Sequence, residues 1–495
     1  MKTKAARTTA IGLLIGGVVG MFSAQDPSLL VLAVIASFGL TLGRRPALLL
    51  GVFLMVDQTY VGTPYFQDIG PLVTTGHQFY EPVKNLPPSL LMLTIAFIVQ
   101  LYTGRGIAAR KLRTHGLDGV GIVLVALLVW TALLSLSQEK TDFSAGSMLR
   151  ISTNTLAAVL PWLLMLLTYA ITVGLLRQPG GRSEFTRVVA IALVAKGVLG
   201  LVVLLTTHGA VIDGQHNVVY YDAALPMVAG MAMLGFLLAS PYPVPRRKLI
   251  LFLAGTIVVF SFRRSVWVAM AVAVLLLPLV RARTVVIQRV LVGSALSLLV
   301  LLLMPATIKD AAFSRVGSAI SVAQGTGSED SAKNHKKDVE RGYQIAKDHI
   351  WLGVGVRAAQ QREFAYQEIN RLYVHNDPLQ VWLHLGLPGG VLYLMLMAIL
   401  CWRGLMTLRR GDGLSVLDAG SATFAAACFV AVMLAPFISE TTRWPVFVGA
   451  VAAVLRTSET AAREAAVRRR AAAAARRGLL APAAPVRVAA SVSAR

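Results

Sequence analysis

The chain has 495 residues, of which 56% are hydrophobic and only 14% are charged, and its mean hydropathy is +0.67. A soluble protein of this length would form about two to four domains, but apolar runs of bilayer length recur along most of this sequence. Composition therefore excludes an ordinary soluble protein and predicts an all-α polytopic membrane protein. The net charge of +23 does not indicate nucleic-acid binding, because the long polar segment 306–378 holds ten Lys/Arg against nine Asp/Glu.

Fourteen apolar segments predict transmembrane helices in chain order. Several are shorter than the ~20 residues that a full crossing needs, so we expect about 12–14 helices. The first segment resembles a signal peptide that ends near Ala24, but a retained helix is favoured because so many spans follow it. The segments lie near residues 10–24, 28–42, 46–57, 89–103, 119–137, 151–176, 188–207, 223–239, 249–262, 266–280, 290–305, 380–402, 419–438 and 445–456.

Basic residues predict how these helices are oriented. Every second connection is rich in Lys and Arg, whereas most of the short connections between them carry few charges. Because cytoplasmic loops collect Lys and Arg, we expect an even number of spans, both termini inside and the segment 306–378 outside. The basic connections contain Arg44 and Arg45; Arg105, Arg110, Lys111 and Arg113; Arg177, Arg182 and Arg187; Arg246, Arg247 and Lys248; Arg281, Arg283 and Arg289; and Arg403, Arg409 and Arg410.

The predicted organisation has four parts. Residues 1–305 form N-terminal transmembrane helices, 306–378 an extracytoplasmic loop, 379–456 C-terminal transmembrane helices and 457–495 a basic, Ala/Arg-rich cytoplasmic tail. The tail either forms a basic helix along the anionic inner leaflet or stays solvated and only reinforces the topology. The aromatic residues of the outside loop 57–88 indicate either an interfacial belt or a re-entrant segment at a substrate entrance.

Two arginines, Arg263 and Arg264, lie in a tight turn on the predicted outer side. Positive charge at this position runs against the topological trend, and a guanidinium near lipid is costly. These side chains either reach out to the lipid headgroups or form an anion clamp, because the Arg fork matches phosphate oxygens and keeps its charge.

The polar segment contains a predicted helix over 336–349, which carries Arg341, and then the glycines Gly353 and Gly355. Gly-x-Gly alone is a weak signal, because the strand and the third glycine of a dinucleotide-binding loop are missing. We therefore expect a tight turn here that folds the loop back over the membrane face.

His375, together with Asn376 and Asp377, lies where the polar segment meets the next span. An imidazole can accept a proton from a hydroxyl, and a neighbouring carboxylate or amide can hold its tautomer. A lone histidine at a span boundary is more often simply an interfacial residue, so this pattern alone leaves both interpretations open. His384, which lies inside the following span, is expected to pack or form hydrogen bonds there.

The order of these motifs resembles a known family, the O-antigen ligase/polymerase superfamily. It includes lipopolysaccharide O-antigen ligases, Wzy-type polysaccharide polymerases and protein O-oligosaccharyltransferases. Arg264-Ser265 looks like the Ser-Arg motif of this family, although Arg263 stands where serine is usual. The other similar runs are Asp348-His349-Ile350-Trp351-Leu352-Gly353-Val354-Gly355, His375-Asn376-Asp377 with Leu379-Gln380, and Gly386-Leu387-Pro388-Gly389.

The resemblance implies a metal-independent, inverting glycosyltransferase of GT-C-like architecture in the bacterial cytoplasmic (inner) membrane, with no cofactor. It would transfer glycan from an undecaprenyl-diphosphate donor to a glycan or lipid acceptor, with 306–378 as the catalytic loop. Other polysaccharide-assembly proteins are further expected partners. The chemistry agrees, because a lipid diphosphate is a good leaving group that protein cations can stabilise. The sequence also lacks an Asp-x-Asp pair for a metal-bound nucleotide sugar.

Positions that match the family motifs receive roles by resemblance. His375 matches the proposed base, with Asn376 and Asp377 as supporting residues. Arg264 matches the arginine that would grip the diphosphate, and Arg263 would assist it. For the second cation of the loop, Arg341 is the nearest arginine, whereas Lys336 and Lys337 lie closer to the expected place.

Two other classes of function stay open. A polysaccharide flippase would have a similar number of spans, but transporters typically show two similar halves and polar residues near mid-membrane. This sequence has no obvious half-repeat, and Lys196 is the clear ionisable residue within its spans besides His384. A non-catalytic envelope-assembly protein is the second alternative. Polymerase and ligase differ only in their acceptor, and no residue decides between them.

Overall fold

The structure is a computed structural model. It describes residues 27–55, 88–102, 118–138, 145–207, 210–212, 215–220, 224–238, 247–261, 263–280, 330–355, 374–410, 414–434 and 443–476, with single positions 288 and 317. Within this part of the chain, thirteen helices and one two-stranded hairpin are present. The predicted segments 10–24 and 290–305 and nearly all of loop 57–88 lie outside the described residues.

The helices confirm the predicted fold class, an all-α polytopic membrane protein. Twelve of them coincide with predicted apolar segments, and the thirteenth, α10, is the helix predicted in the polar segment. They are α1 (Pro27–Gly43), α2 (Pro46–Met55), α3 (Pro88–Tyr102), α4 (Gly119–Gln138), α5 (Ala145–Leu176), α6 (Gly181–Thr207), α7 (Ala224–Leu238), α8 (Arg247–Val259), α9 (Arg264–Val280), α10 (Asp330–Asp348), α11 (Asp377–Arg409), α12 (Val416–Leu434) and α13 (Arg443–Arg476).

Length and composition identify the helices that can cross a bilayer. Five in the described part are long and apolar enough to do so, namely those in the ranges Gly119–Ser137, Ala158–Leu176, Gly181–Thr206, Asp377–Arg409 and Val416–Leu434. Five shorter apolar helices accompany them. Large apolar side chains such as Leu133, Leu205 and Leu275 are exposed on this bundle, as expected for helices whose solvent is lipid.

Small residues let the central helices approach closely. Gly235 of α7 lies against the start of α12, and a Cβ atom there would lie 2.7 Å from the Val416 carbonyl oxygen. Gly404 of α11 packs in the same way, because its Cβ would lie 2.5 Å from the Ala422 carbonyl oxygen. Such contacts between backbones are typical of helix association in membranes, where burial of apolar surface supplies little driving force.

Polar contacts define the two ends of this bundle. At one end, Arg403 near the end of α11 bonds to Asp118 before α4 at 2.6 Å, and Arg182 at the start of α6 bonds to Asp418 at the start of α12 at 2.7 Å. At the opposite end, Asn376 donates to the Met433 carbonyl in the last turn of α12 at 3.1 Å. We call the first the basic end and the second the rim end.

Asp118 joins three helices to α4 at the basic end. Its Oδ1 accepts a hydrogen bond from Tyr169 of α5 at 2.6 Å, and its Oδ2 accepts one from Arg403 of α11 at 2.6 Å. Arg456 of α13 donates to the Tyr169 hydroxyl at 2.8 Å. Burial alone would raise the pKa of Asp118, but the hydrogen bonds from Tyr169 and Arg403 outweigh burial and lower this pKa below its usual value. The carboxylate therefore stays charged at neutral pH.

A second charged contact at the basic end joins α6, α12 and α13. The guanidinium of Arg182 bonds to both carboxylate oxygens of Asp418, at 2.7 and 2.8 Å, and to the Thr457 hydroxyl at 3.0 Å. Without the arginine, the buried carboxylate of Asp418 loses its charged donor. It keeps the Ser415 hydroxyl, which donates to its Oδ2 at 2.7 Å. Arg182 and Arg403, which the sequence pattern marks as signals of topology, therefore also hold helices together.

The Arg182→Ala variant is expected to lower the free energy of unfolding by about 1–3 kcal/mol, the usual cost of an unsatisfied buried acceptor. Thermal unfolding in detergent measures the change. Lys248→Ala is the matched control, because Lys248 is exposed at the start of α8 and should change stability by less than about 0.5 kcal/mol. Equal unfolding temperatures for the two variants would contradict this role of Arg182.

One hairpin departs from the predicted all-α content. Strands β1 (Ala210–Ile212) and β2 (Gln215–Val218) pair antiparallel between α6 and α7. Just after the hairpin, the backbone N–H groups of Val219 and Tyr220 donate to the Phe260 carbonyl at 3.0 and 3.4 Å. This short connection therefore closes against the end of α8.

α13 continues from the last predicted span into the predicted tail, as far as Arg476. Residues 461 and 463–473 are exposed, and the pair Arg468–Glu464 lies 4.0 Å apart one turn along the helix. Ala and Arg are strong helix formers, which explains why the helix does not end at the membrane. A helical tail is thus found up to Arg476, and its contact with the inner leaflet stays a prediction.

Candidate active site

The helix predicted over 336–349 is part of α10, an amphipathic helix that packs on the start of α11. Ala346 is fully buried with Val374 and Leu383, and Val339 packs against the same cluster. Gly342 allows the close approach, because a Cβ there would lie 2.3 Å from Cγ2 of Val374. The spacing of residues 339, 342 and 346 places one face of α10 toward the bundle. α10 is thereby fixed beside residue 375.

His375 lies between these two helices and pairs with a carboxylate of α10. Its Nδ1 lies 3.4 Å from Oδ2 of Asp338, and the two side chains are 26% and 29% exposed. This separation slightly exceeds the length of a usual N–H···O hydrogen bond. A carboxylate at this position favours a proton on Nδ1 and leaves Nε2 able to accept one.

Asn376 and Asp377 fix the start of α11, directly after His375. The Asn376 side chain caps the helix by accepting from the Leu379 N–H at 2.9 Å, and it also donates to the Met433 carbonyl. Asp377 is fully buried, and the Tyr393 hydroxyl donates to its Oδ2 at 2.8 Å. Both residues thus anchor the backbone that carries the histidine, and their supporting role stays a prediction.

The predicted span 380–402 contains a break at Gly386. This residue has φ 72° and ψ 178°, and Pro388 follows within the same helix. A proline has no N–H and interrupts the helical ladder, so some carbonyls need donors from elsewhere. Leu385 O accepts from the indole N–H of Trp130 in α4 at 2.8 Å.

The Gly-x-Gly turn after α10 fits into this break. Val354 N–H donates to Leu383 O at 2.8 Å, and Leu387 N–H donates to Ile350 O at 2.7 Å. Gly353 and Gly386 both have positive φ values, +65° and +72°. A Cβ on Gly386 would lie 1.9 Å from the Trp351 carbonyl oxygen, so only glycine fits here. The predicted tight turn is confirmed, and its function is to join the loop to α11.

His384 lies beneath this turn, buried as the sequence predicts for a residue that bonds within the span. Its Nε2 is hydrogen-bonded to the Gln380 side chain, and its Nδ1 lies 3.3 Å from the Gly355 carbonyl oxygen. Gln380 in turn accepts from the Val374 N–H at 2.6 Å. The two side chains therefore connect both ends of the segment 356–373 to consecutive turns of α11.

The Arg263–Arg264 turn lies at the same end of the bundle as His375. α7 ends at the basic end beside α12, α8 starts there with Arg247 bonded to the Phe236 carbonyl, and α9 therefore begins at the rim end. The half-buried Arg263 precedes α9, and its carbonyl accepts from Val266 N–H at 3.1 Å. Arg264 is the first residue of α9, and its side chain lies outside the described part.

α9 packs against α12 and also contacts α11, so the elements that carry Arg263, Arg264 and His375 are neighbours. Arg341 is exposed on α10, one turn after Asp338. Residues three apart on a helix are surface neighbours, which puts a cation beside the Asp338–His375 pair. Lys336 is exposed as well and lies 3.8 Å from Glu340. The structure leaves the second loop cation open among these residues.

Asp338 and Trp130 are the residues that the sequence interpretation missed. The helical spacing of Val339, Gly342 and Ala346 could have marked Asp338 as bordering the buried face of α10. Its pairing with His375 has no local signal, because 36 residues separate the two in the sequence. Trp130 lies in an ordinary apolar helix, and nothing in its sequence neighbourhood indicates a bond to the break in α11.

Comparison with known proteins agrees with this arrangement. The O-antigen ligase family model matches residues 249–394, a range from α8 to the middle of α11 that includes Arg263, Arg264, Asp338, His375 and Gly386. No curated protein matches the chain significantly. This match over residues 249–394 supports the O-antigen ligase/polymerase superfamily that the sequence motifs predict.

Proposed function

We propose that the protein transfers or polymerises oligosaccharide from an undecaprenyl-diphosphate donor onto a glycan or lipid acceptor at the outer face of the bacterial cytoplasmic membrane. The match of residues 249–394 to the O-antigen ligase family model supports glycan assembly at a membrane. The single observation that carries the proposal is the pairing of His375 with Asp338 at 3.4 Å. It gives a half-buried histidine of the rim end the partner that a general base needs.

In the proposed reaction, Nε2 of His375 takes the proton of the acceptor hydroxyl. The hydroxyl oxygen attacks the anomeric carbon of the donor, and the bond from that carbon to the diphosphate oxygen breaks. The diphosphate leaves with the electron pair, and the sugar configuration inverts. Asp338 holds the Nδ1 proton and balances the imidazolium that forms. Because the leaving group is already stable, the step depends on positioning and on charge stabilisation.

The leaving diphosphate would be held at the start of α9. Helix N-termini present free N–H groups and a positive partial charge to anions, and α9 begins with Arg264 after Arg263. The guanidinium groups of Arg263 and Arg264 would suit a diphosphate, because each can bond two oxygens. One cation of α10, either Arg341 or a lysine at 336 or 337, would complete the site from the opposite side.

Complementation of a null strain tests this function. We expect the wild-type gene to restore surface glycan and Arg264→Ala to reduce it by about 10²–10³-fold, the usual loss for a group that stabilises departing charge. Arg409→Ala is the matched control, because Arg409 is exposed at the basic end, far from the site. Wild-type glycan from Arg264→Ala, at normal protein levels, would refute the proposed diphosphate site.

The product that accumulates in the null strain distinguishes the two reactions of this family. A polymerase defect leaves single repeat units, whereas a ligase defect leaves full-length chains on the lipid carrier. Normal glycan in the null strain would exclude both. Both termini are expected at the cytoplasmic side. A reporter fused to the last residue and expressed in the same null strain tests the orientation of the C-terminus.

A further inference from the structure

A cavity at the basic end is separate from the candidate active site. It has an empty volume of about 840 Å³, including its open side, and lies between α2, α6, α7, α12 and α13. Representative lining residues are Leu50, Leu193, Met231, Phe424 and Val451. Apart from the hydroxyl groups of Thr186 and Ser421, its lining side chains are hydrocarbon, aromatic or thioether groups. Such a space does not hold water well, because a buried water needs two or more polar partners.

The cavity extends from the basic end toward the middle of the bundle. On α7, its lining runs from Phe236 back to Val228, and on α13 from Val454 back to Val446. Eight residues of helix correspond to about 12 Å, which approaches half of the ~30 Å hydrocarbon thickness. The cavity is therefore deep enough to take part of one acyl chain from the adjacent leaflet.

Charge complements this shape at the basic end of the cavity. α2 and α6 meet in their first turns, where Ala47 and Phe185 share one apolar cluster. Arg44 and Arg45 directly precede α2, Arg187 follows Thr186 on α6, and all three are exposed. Glu184 is the exposed acidic residue of the same turn of α6. These first turns of α2 and α6 therefore carry more exposed cationic than anionic side chains, and basic pockets between helices attract anionic lipid headgroups.

We propose that this cavity binds one acyl chain of an anionic phospholipid, whose phosphate lies near Arg45 and Arg187. Hydrocarbon is the solvent that surrounds the bundle, and a lipid chain fills an apolar space that water leaves empty. A phospholipid is favoured over the prenyl donor because His375 and the α9 terminus lie at the opposite end. The bound lipid would then support the packing of α2 and α6 against α12 and α13.

Native mass spectrometry of the purified protein tests this site. We expect one phosphatidylglycerol to bind at least tenfold more tightly than phosphatidylcholine. Ala450→Phe, which fills the cavity, should weaken that binding at least tenfold, whereas Ala398→Phe on the exposed side of α11 should not. The double variant Arg45→Ala/Arg187→Ala should remove the preference for phosphatidylglycerol. Unchanged binding by Ala450→Phe, or equal binding of both lipids by the wild type, would overturn the proposal.

A second measurement does not depend on the folding of any variant. Wild-type protein is reconstituted with a phosphatidylglycerol that carries a diazirine in its acyl chain, illuminated, digested and mapped. We expect crosslinks at lining residues such as Phe424 and Val451, beyond those at lipid-exposed positions such as Leu205. Crosslinks confined to exposed positions would overturn the proposal. Displacement of the label by polyprenyl phosphate, but not by phospholipid, would overturn it as well.

Discussion

Replacing His375 with alanine is expected to slow glycan transfer by about 10²–10⁴-fold, the usual contribution of a general base, and to leave the fold intact. The histidine is half-buried at the junction of α10 and α11 and is not part of the apolar core clusters, so its loss removes chemistry and little packing. Transfer by the purified protein from a synthetic lipid-diphosphate-linked oligosaccharide, followed by mass spectrometry, measures the change.

His349→Ala is the matched control, because this histidine is exposed at the end of α10 and should retain nearly full activity. Asp338→Asn refines the same test. We expect a smaller loss than for His375→Ala, because the imidazole remains but the imidazolium that forms during transfer loses its anionic partner. Full activity of His375→Ala would refute the assignment of the base, whereas full activity of Asp338→Asn would refute only the role of its pairing with His375.

Gly386→Ala is expected to lower the free energy of unfolding by about 2–6 kcal/mol. A residue with a side chain at positive φ costs about 1–3 kcal/mol, and the new Cβ would collide with the Trp351 carbonyl oxygen at 1.9 Å. To relieve this collision, the turn must move away from α11. This movement breaks the two hydrogen bonds that Val354 and Leu387 donate across the break, each worth about 0.5–1.5 kcal/mol. Activity should fall as well, because these bonds hold α10 and Asp338 beside His375.

Thermal unfolding and the transfer assay report these two effects separately. Gly255→Ala is the matched control, because Gly255 lies in regular helix α8 and its Cβ would have a nearest neighbour 3.7 Å away. There, alanine should be neutral or stabilising by up to about 1 kcal/mol. A Gly386→Ala protein as stable as Gly255→Ala would show that the turn and α11 are not joined as described.

Hydropathy predicted most of the fold because it is a local property. Each apolar run must form its own backbone hydrogen bonds in lipid, so the helices from Pro27–Gly43 onward follow from composition alone. The helix of the polar segment was also predictable from the local sequence, because its apolar positions recur with helical spacing. The extension of α13 to Arg476 agrees with the high helix propensity of Ala and Arg. The sequence showed this propensity, but it did not show that the tail would continue the last span as one helix.

The site was predictable only in part. His375 was identifiable as a polar residue at a span boundary, and the family motifs singled out Gly353, Gly355 and Gly386. Contacts between distant residues were not predictable, because Asp338 reaches His375 through the docking of α10, and Val354 bonds to Leu383 through the break in α11. In both cases the sequence showed the residue types, and only the three-dimensional arrangement showed their partners.

The connection between Gly355 and Val374 has both ends anchored on α11. His384 contacts the carbonyl of Gly355, Gln380 accepts from the N–H of Val374, and these two side chains are bonded to each other. For a loop whose ends already meet, a doubling of length costs only about 0.6 kcal/mol of closure entropy. We therefore expect that residues 356–373 can change in length and sequence among related proteins with little cost to the position of His375, so that a different acceptor could be accommodated beside the same proposed base.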